Sequence, residues 1–292
     1  MSSFLPRLML VAVLTLAARG RDGAADEAET LLQAARSYMA TCDYAKAVAI
    51  LDQCIAKHPA SAAAWSDRGQ ARYQLDDFAG ALADLSRALE LDPAVASVPH
   101  ARALARRATG DFAGAAADLS RVLALDPKDD LAYLDRGVVR FLMEDVVGAQ
   151  ADLARAAEAG GGDRDLIALW TWVVRTQQGD MAAATVELGR YQAAMPKVPP
   201  EEEAYTAPLV ALLAGRAEQV AISPEDLRDD TPTGRNRRCV TYFFVGVHAR
   251  TRGSLQGALD AYGKAIAEGR SKLAEHHAAK RGVAEIDRLM GR

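Results

Sequence analysis

The side chains best suited to chemistry in this chain are five histidines and three cysteines. A hydrolase or metal centre would need them at fixed spacings: two histidines four apart on a helix, cysteines three apart, or a serine in a Gly-x-Ser-x-Gly turn. None of these patterns occurs, and there is no glycine-rich phosphate loop. The densest group is Glu275-His276-His277, to which His248 would have to be added. Adjacent helical positions point about 100° apart, so the two histidines do not face one ion together, and no third ligand has the right spacing. His58 follows an expected helix and His100 begins one. The chain therefore reads as a non-enzyme, with no catalytic residue, no metal and no cofactor.

Cys42, Cys54 and Cys239 make an odd count, which leaves at least one thiol outside any disulfide within the chain. Cys42 and Cys54 sit on one expected helix about 18 Å apart at the usual rise, too far to bridge. All three read as small buried hydrophobes, with a bridge from Cys239 to either of the others left open.

The elements that would position any site are helical and repetitive. From Ala62 to Pro93 the chain shows a helical hairpin with Trp65 and Gly69 in its first helix, a turn at Asp76-Asp77-Phe78 and a close at Leu91-Asp92-Pro93. The pattern recurs every 34 residues: Gly110-Asp111-Phe112 falls on the turn, Tyr133 on Trp65, Gly137 on Gly69, and Ala115 and Ala149 on Ala81. One step back, Tyr44, Ala47, Leu51 and Pro59 take the same roles. Small residues stand where the two helices of a hairpin approach most closely. Asp43, Asp77, Asp111, Asp145 and Asp180 precede the second helices and can cap their free amides, at about 1 kcal/mol each. Pro59, Pro93, Pro127 and Pro196 follow the second helices and stop them. Arg68 with Asp84, Arg102 with Asp118 and Arg136 with Asp152 recur at one interval, each followed four residues later by Arg72, Arg106 or Arg140, which reads as charge pairing within each hairpin.

This period and residue set resemble the tetratricopeptide repeat. The resemblance implies an all-α, helical-hairpin solenoid with a right-handed superhelix and one elongated body, closed by a C-terminal capping helix. It also implies that the fifth, ninth and twelfth positions of each first helix face a concave groove. Here these are Leu32, Arg36 and Met39; Ser66, Gln70 and Tyr73; His100, Leu104 and Arg107; Leu134, Val138 and Phe141. The face grades from polar and basic to apolar, as a peptide or partner helix would require. The alternative is that Leu134, Val138 and Phe141 pack against the following repeat.

Half the residues are hydrophobic but only 6% aromatic, so the core has to be built from close-packed Ala, Leu and Val. A net charge of -4 offers no global field for nucleic acid. Residues 1–25 read as a secretory signal, with Arg7 before the apolar run Leu8 to Ala18, or else as an uncleaved tether. Residues 26–196 form the array of about five hairpins. The fourth ends in Gly160-Gly161-Gly162, and the fifth, divergent, holds Leu169-Trp170-Thr171-Trp172 and the turn Gly179-Asp180. Residues 197–238 hold a divergent helix near Ala207 to Leu213 and an exposed loop from Asp226 to Arg238. Residues 239–292 return to a hairpin with Gly246, Ala258 and Tyr262, then a last helix from about Ser271 to Met290 with Leu273, Val283, Ile286 and Leu289 on one side.

The order of these parts, with Tyr242-Phe243-Phe244-Val245-Gly246 and Glu275-His276-His277, resembles the NlpI-type envelope proteins. The resemblance implies an exported, periplasmic or envelope-associated adaptor for cell-wall hydrolases or a periplasmic protease, often a homodimer, with other proteins as partners and no nucleic acid or small-molecule substrate. No cysteine follows the apolar run, so lipid anchoring is not implied. The alternative function is a structural subunit of a secretion or envelope assembly complex.

Overall fold

The computed structural model describes residues 26–95, 97–160, 164–194, 206–218, 220, 232–269 and 271–291. The expected secretory segment, Gly161-Gly162, Pro196, Pro199-Pro200, Glu201 to Glu203 and most of the expected loop from Asp226 lie outside them. Among the described residues every regular element is an α-helix. The first, α1, covers residues 26–40. It is followed by α2 (Tyr44–Lys57), α3 (Ala62–Gln74), α4 (Phe78–Leu91), α5 (Ser97–Thr109), α6 (Phe112–Leu125), α7 (Asp130–Leu142) and α8 (Val146–Ala159). Then come α9 (Arg164–Gln177), α10 (Met181–Ala194), α11 (Ala207–Leu213), α12 (Pro232–Thr251), α13 (Leu255–Ala267) and α14 (Ala274–Leu289).

Between α12 and α13 the turn is Gly253 (φ 79°) with Ser254, whose side chain makes no cap; each of the five earlier hairpin turns is built from one residue pair. The first member is left-handed: Cys42 at φ 59°, Asp76 at 65°, Gly110 at 85°, Glu144 at 65° and Gly179 at 87°. The second member is the expected aspartate, and it works twice. Its amide closes the preceding helix, from Asp43 to Tyr38 O at 2.9 Å, Asp77 to Arg72 O at 3.0 Å and Asp145 to Arg140 O at 2.9 Å. Its carboxylate then caps the next helix, accepting from the amides of Lys46, Gly80, Gly114 and Gly148 for Asp43, Asp77, Asp111 and Asp145. Cys42 therefore sits in a turn and not on the helix expected to carry it with Cys54. Cys42 is exposed in that turn, against the buried position expected of it, whereas Cys54 and Cys239 are buried as expected, and no disulfide forms from Cys239.

The helices fall into two compact units, one running to Ala105 and one from Arg106. Among the described residues the first is held by small clusters, two of which are as follows. One joins Leu32, Ala35, Leu51, Cys54, Ile55 and Ala64. The other joins Ala81, Leu85, Ala88, Leu89, Val98 and Ala105. Gly69 permits the close helix approach expected of it, since a Cβ there would stand 2.7 Å from Leu85 Cγ.

The second unit has one larger core centred on Trp170, whose ring lies 5.4 Å from Phe141, 5.3 Å from Phe243 and 5.9 Å from Phe244. Here two boundaries depart from expectation. The stretch through Arg235 to Arg238 is the start of α12, not an exposed loop, and Arg238 is buried with Nε 2.8 Å from Glu268 Oε1. Leu289 is exposed at the end of α14, whereas Ile286 is fully buried. The closing helix α14 packs on α13 as expected, and also on α12 and back onto α7.

Candidate functional site

Three sets of side chains were candidates for function: the inner-face positions, the histidines and the charged ladder. The ladder is structural. Arg68 reaches both oxygens of Asp84 at 2.7 and 2.8 Å, and Arg136 does the same to Asp152 at 2.7 and 2.8 Å. The second arginine completes each group, Arg72 on Asp84 at 2.9 Å, Arg106 on Asp118 at 2.7 Å and Arg140 on Asp152 at 2.8 Å. A further link was not read from the sequence. The first arginine also reaches back one repeat, Arg68 to Asp52 at 2.6 Å, Arg102 to Ser86 at 3.4 Å and Arg136 to Ser120 at 3.0 Å. The ladder therefore stitches repeats together as well as pairing helices within them.

In the first unit the inner-face positions are mixed. Arg36 is exposed, with its Nε 2.8 Å from Asp67 Oδ2. Burial raises the Asp67 carboxyl above the ordinary range against the pull of Arg36. Ser66 is buried and accepts from Gln70 at 3.2 Å. Gln70, Tyr73, His100 and Leu104 are half-buried, and Tyr73 packs on Phe78 with centroids 5.8 Å apart.

In the second unit Leu134, Val138 and Phe141 are 4%, 3% and 4% exposed and belong to the core, where Phe141 meets Trp170 of the following hairpin and also Arg281 of α14, a contact that the alternative of packing on the following repeat did not include. The cover comes from the chain's own C-terminal segment. Arg107 bonds Asp135 at 2.6 Å and the Lys272 carbonyl at 3.1 Å. Trp170 donates to buried Glu275 at 3.1 Å, His277 packs edge-on against Phe112, and Arg281 donates to the Phe141 carbonyl.

The histidines do not converge. Among the described residues no group of three His, Cys, Asp or Glu side chains is placed to hold a metal. Burial is the first cause of every shift in this region. It lowers His248, with Arg252 adding to it, and lowers His277. His276 is brought down to about 4 by burial, Lys280 and His277. Glu275 is raised. Burial thus disfavours the charged form of each of these groups.

Among the described residues the second unit holds at least three cavities, of which two are larger. One, of about 410 Å³, lies between α8, α9 and α10 and is floored by Leu153, Ile167, Trp172 and Leu188. The other, of about 460 Å³, is walled by α7, α9, α12, α13 and α14 and holds Arg250, Tyr262, Arg281 and Glu285. Of these last polar residues, Arg281 and Glu285 fall on α14, which has no counterpart in the repeat, and Arg250 takes the position of Tyr73 in its own hairpin, where sequence reasoning passed over it. Tyr262 was the exception in principle. It follows Gly246 by the interval that separates Gly69 from Leu85, so it takes a core position of the hairpin.

Comparison with known proteins agrees with this geometry. Residues 35–109 and residues 100–164 each match a family model described as a tetratricopeptide repeat. No curated protein matches the chain. A tetratricopeptide repeat protein from Parabacteroides merdae superposes with a TM-score of 0.58 at 15% identity, over 89% of this chain and 98% of its own. PilW, described as a widely conserved type IV pilus biogenesis factor, gives 0.54 at 18% identity over 82% of this chain and 92% of its own. The pilF protein of Pseudomonas aeruginosa gives 0.53 at 14% identity over 90% and 99%. At these identities the likeness is one of fold: an all-helical protein with tetratricopeptide repeats, a fold that mediates protein–protein interaction.

Proposed function

We propose that this chain is a non-enzymatic scaffold of the bacterial cell envelope that holds a peptide segment or helix of a partner protein on the inner face of its repeats. The observation that carries the reading is the self-occupied face of the second unit. There the expected groove positions Leu134, Val138 and Phe141 are covered by core packing that includes α14, so this repeat face has the shape and chemistry to receive a helix. In the first unit the equivalent positions keep donor and acceptor groups at exposed or half-buried side chains, Arg36, Gln70, Tyr73 and His100. Such a surface supplies register through its polar groups and affinity through its aromatic one. Cell-wall hydrolases or a periplasmic protease are the partners that the order of parts favours. Export is part of the same reading, and among the described residues no helix is long and apolar enough to cross a membrane.

The test is capture from an envelope extract with the full chain and with an Arg36→Glu, Gln70→Ala, His100→Ala variant whose helicity is unchanged. Enzymes held by the unaltered chain should be retained at least tenfold less by the variant, as loss of a few central contacts implies. Equal retention would remove the first-unit face from the reading. A second reading, a structural subunit of an envelope assembly, draws on the fold likeness to a pilus biogenesis factor. It predicts a fixed set of membrane-complex subunits captured equally by both proteins.

A further inference from the structure

The cavity of about 460 Å³ in the second unit has an unbalanced charge. Its floor is apolar, formed by Val173, Phe243, Val247 and Ala278. One wall carries an ion pair that is complete in itself, Arg250 reaching both oxygens of Glu285 at 2.6 and 2.8 Å. That pairing holds the Glu285 carboxyl below the ordinary range. Tyr262, pushed up to about 12 by burial, is neutral at any ordinary pH. Arg281 is the remaining charge. Its guanidinium lies over the Phe141 ring at 4.2 Å and donates to two neutral acceptors, the Phe141 carbonyl and Gln177 Oε1 at 3.1 Å. Among the described residues no carboxylate pairs with Arg281; Glu144 and Glu285 act on it only at longer range, and burial is the first cause of its lowered pKa.

A partly desolvated cation without a counter-charge is costly, and proteins keep one where something else completes it. The two neutral acceptors and the aromatic face fix the plane of the guanidinium, and two of its five N–H bonds are used. An immobilised fork of this kind matches a carboxylate and loses little entropy when it binds one. A phosphate dianion fits less well, since a single uncompensated cation would face two charges beside Glu285. The cavity volume is that of a small-ligand or side-chain pocket. Met181, 41% exposed at its edge, offers a flexible apolar contact beyond it.

We propose that this cavity binds an acidic side chain of a partner's peptide segment, the carboxylate on Arg281 and an adjacent apolar side chain on the Phe243–Val247 floor. The inference rests on the protein-binding reading, but it places a contact on α14 and not on the inner-face positions of the repeats.

The probe is a pentapeptide with the sequence Gly-Leu-Glu-Leu-Gly, acetylated and amidated so that glutamate supplies its sole carboxylate, compared with its glutamine counterpart. Titrated calorimetrically against the full chain, the glutamate peptide should bind at least tenfold more tightly, the difference expected of a charge-assisted hydrogen-bond pair. Arg281→Gln should abolish the preference. Gln177→Glu places a carboxylate of the protein's own beside Arg281, so it should also abolish binding while leaving the melting temperature unchanged or higher, which separates loss of the site from loss of the fold. Equal binding of the two peptides, no binding of either, or an undiminished preference in the Gln177→Glu protein would overturn the proposal. Any of these results would leave capture through the first-unit face, tested separately above, untouched.

Discussion

One carboxylate in each of three repeats carries much of the polar organisation. Asp152 is 3% exposed, yet it satisfies Arg136 through both oxygens and Arg140 through one of them. Removing one partner of such a group strands the others, which costs about 3–5 kcal/mol for a wholly buried network. Arg136 and Arg140 are 15% and 30% exposed, so solvent screening reduces the expected loss for Asp152→Asn to about 2–3 kcal/mol. Urea unfolding measures it, and a change below about 0.5 kcal/mol would place the group with ordinary surface pairs. The sixteen-residue interval made these pairs legible in the sequence. Their second acceptor was not, because it belongs to the preceding repeat and changes from Asp52 to Ser86 and Ser120. The buried histidine gives a prediction of opposite origin. His276 Nδ1 makes no hydrogen bond, and the ring titrates near 4 in the folded chain against 6.5 ordinarily. A lowered folded pKa means that the unfolded chain takes the proton first. The contribution is therefore full above about pH 6.5 and is lost as pH falls from there toward 4, by about 1–2 kcal/mol once screening is allowed for. Glu275, raised by burial, acts in the other direction, so the test is the difference between the parent and His276→Gln. Stability of the variant should fall less between pH 6.5 and 4; parallel profiles would mean that His276 is not the group responsible.

The last three helices meet around one ring. A Cβ on Gly246 in α12 would stand 2.5 Å from Tyr262 Cδ1 and Cε1, and a Cβ on Gly282 in α14 would stand 2.5 Å from Cε2 of the same ring. Tyr262 in α13 is thus clasped between two glycines, and neither neighbour can gain a methyl group without moving it. Gly282→Ala should cost about 1–3 kcal/mol, the usual range for overpacking a close contact, and Gly246→Ala a similar amount. Combining Gly282→Ala with Tyr262→Leu should recover part of the loss, giving a coupling above about 0.5 kcal/mol in thermal unfolding. Strict additivity would show that the contact is not what disfavours alanine. Gly246 was legible because it repeats the role of Gly69 in a hairpin of known period. Gly282 was not, since α14 follows no repeat and a lone glycine within a helix has no signature. The same reasoning explains the missed start of α12. Residues 226 to 238 combine charge with proline and glycine, which reads as solvated loop, whereas proline is well tolerated in a first helical turn and Glu268 neutralises the buried Arg238.

A repeat array in which each hairpin touches only its neighbours has a stability that is a sum of local terms. The second unit departs from that pattern. Trp170 bonds Glu275 across 105 positions, Arg281 bonds Phe141 across 140, and Arg107 bonds the Lys272 carbonyl across 165. Period and spacing could reveal the hairpins because those contacts are local, but they carry no information about which face a non-repeating helix returns to. The order of helices was therefore legible, whereas the occupation of Leu134, Val138 and Phe141 by core was left as an alternative. This closure makes the terminal segment a part of the unit's core, with Ala274, Ala278, Ala279 and Ile286 all buried. Its removal should not behave like loss of an end cap. Truncation after Gly269 takes away the partner of Trp170 and one wall of the core together, so we expect a red-shifted tryptophan emission, strong binding of a hydrophobic dye and a second unit that no longer unfolds cooperatively. In an array with purely local terms the same truncation would lower stability by the few kcal/mol of one interface and leave the emission of Trp170 unchanged. Emission spectra and a urea titration of the truncated and full chains distinguish the two, and an unshifted emission with an unchanged m-value would mean that the repeats, and not the returning helix, hold this unit together.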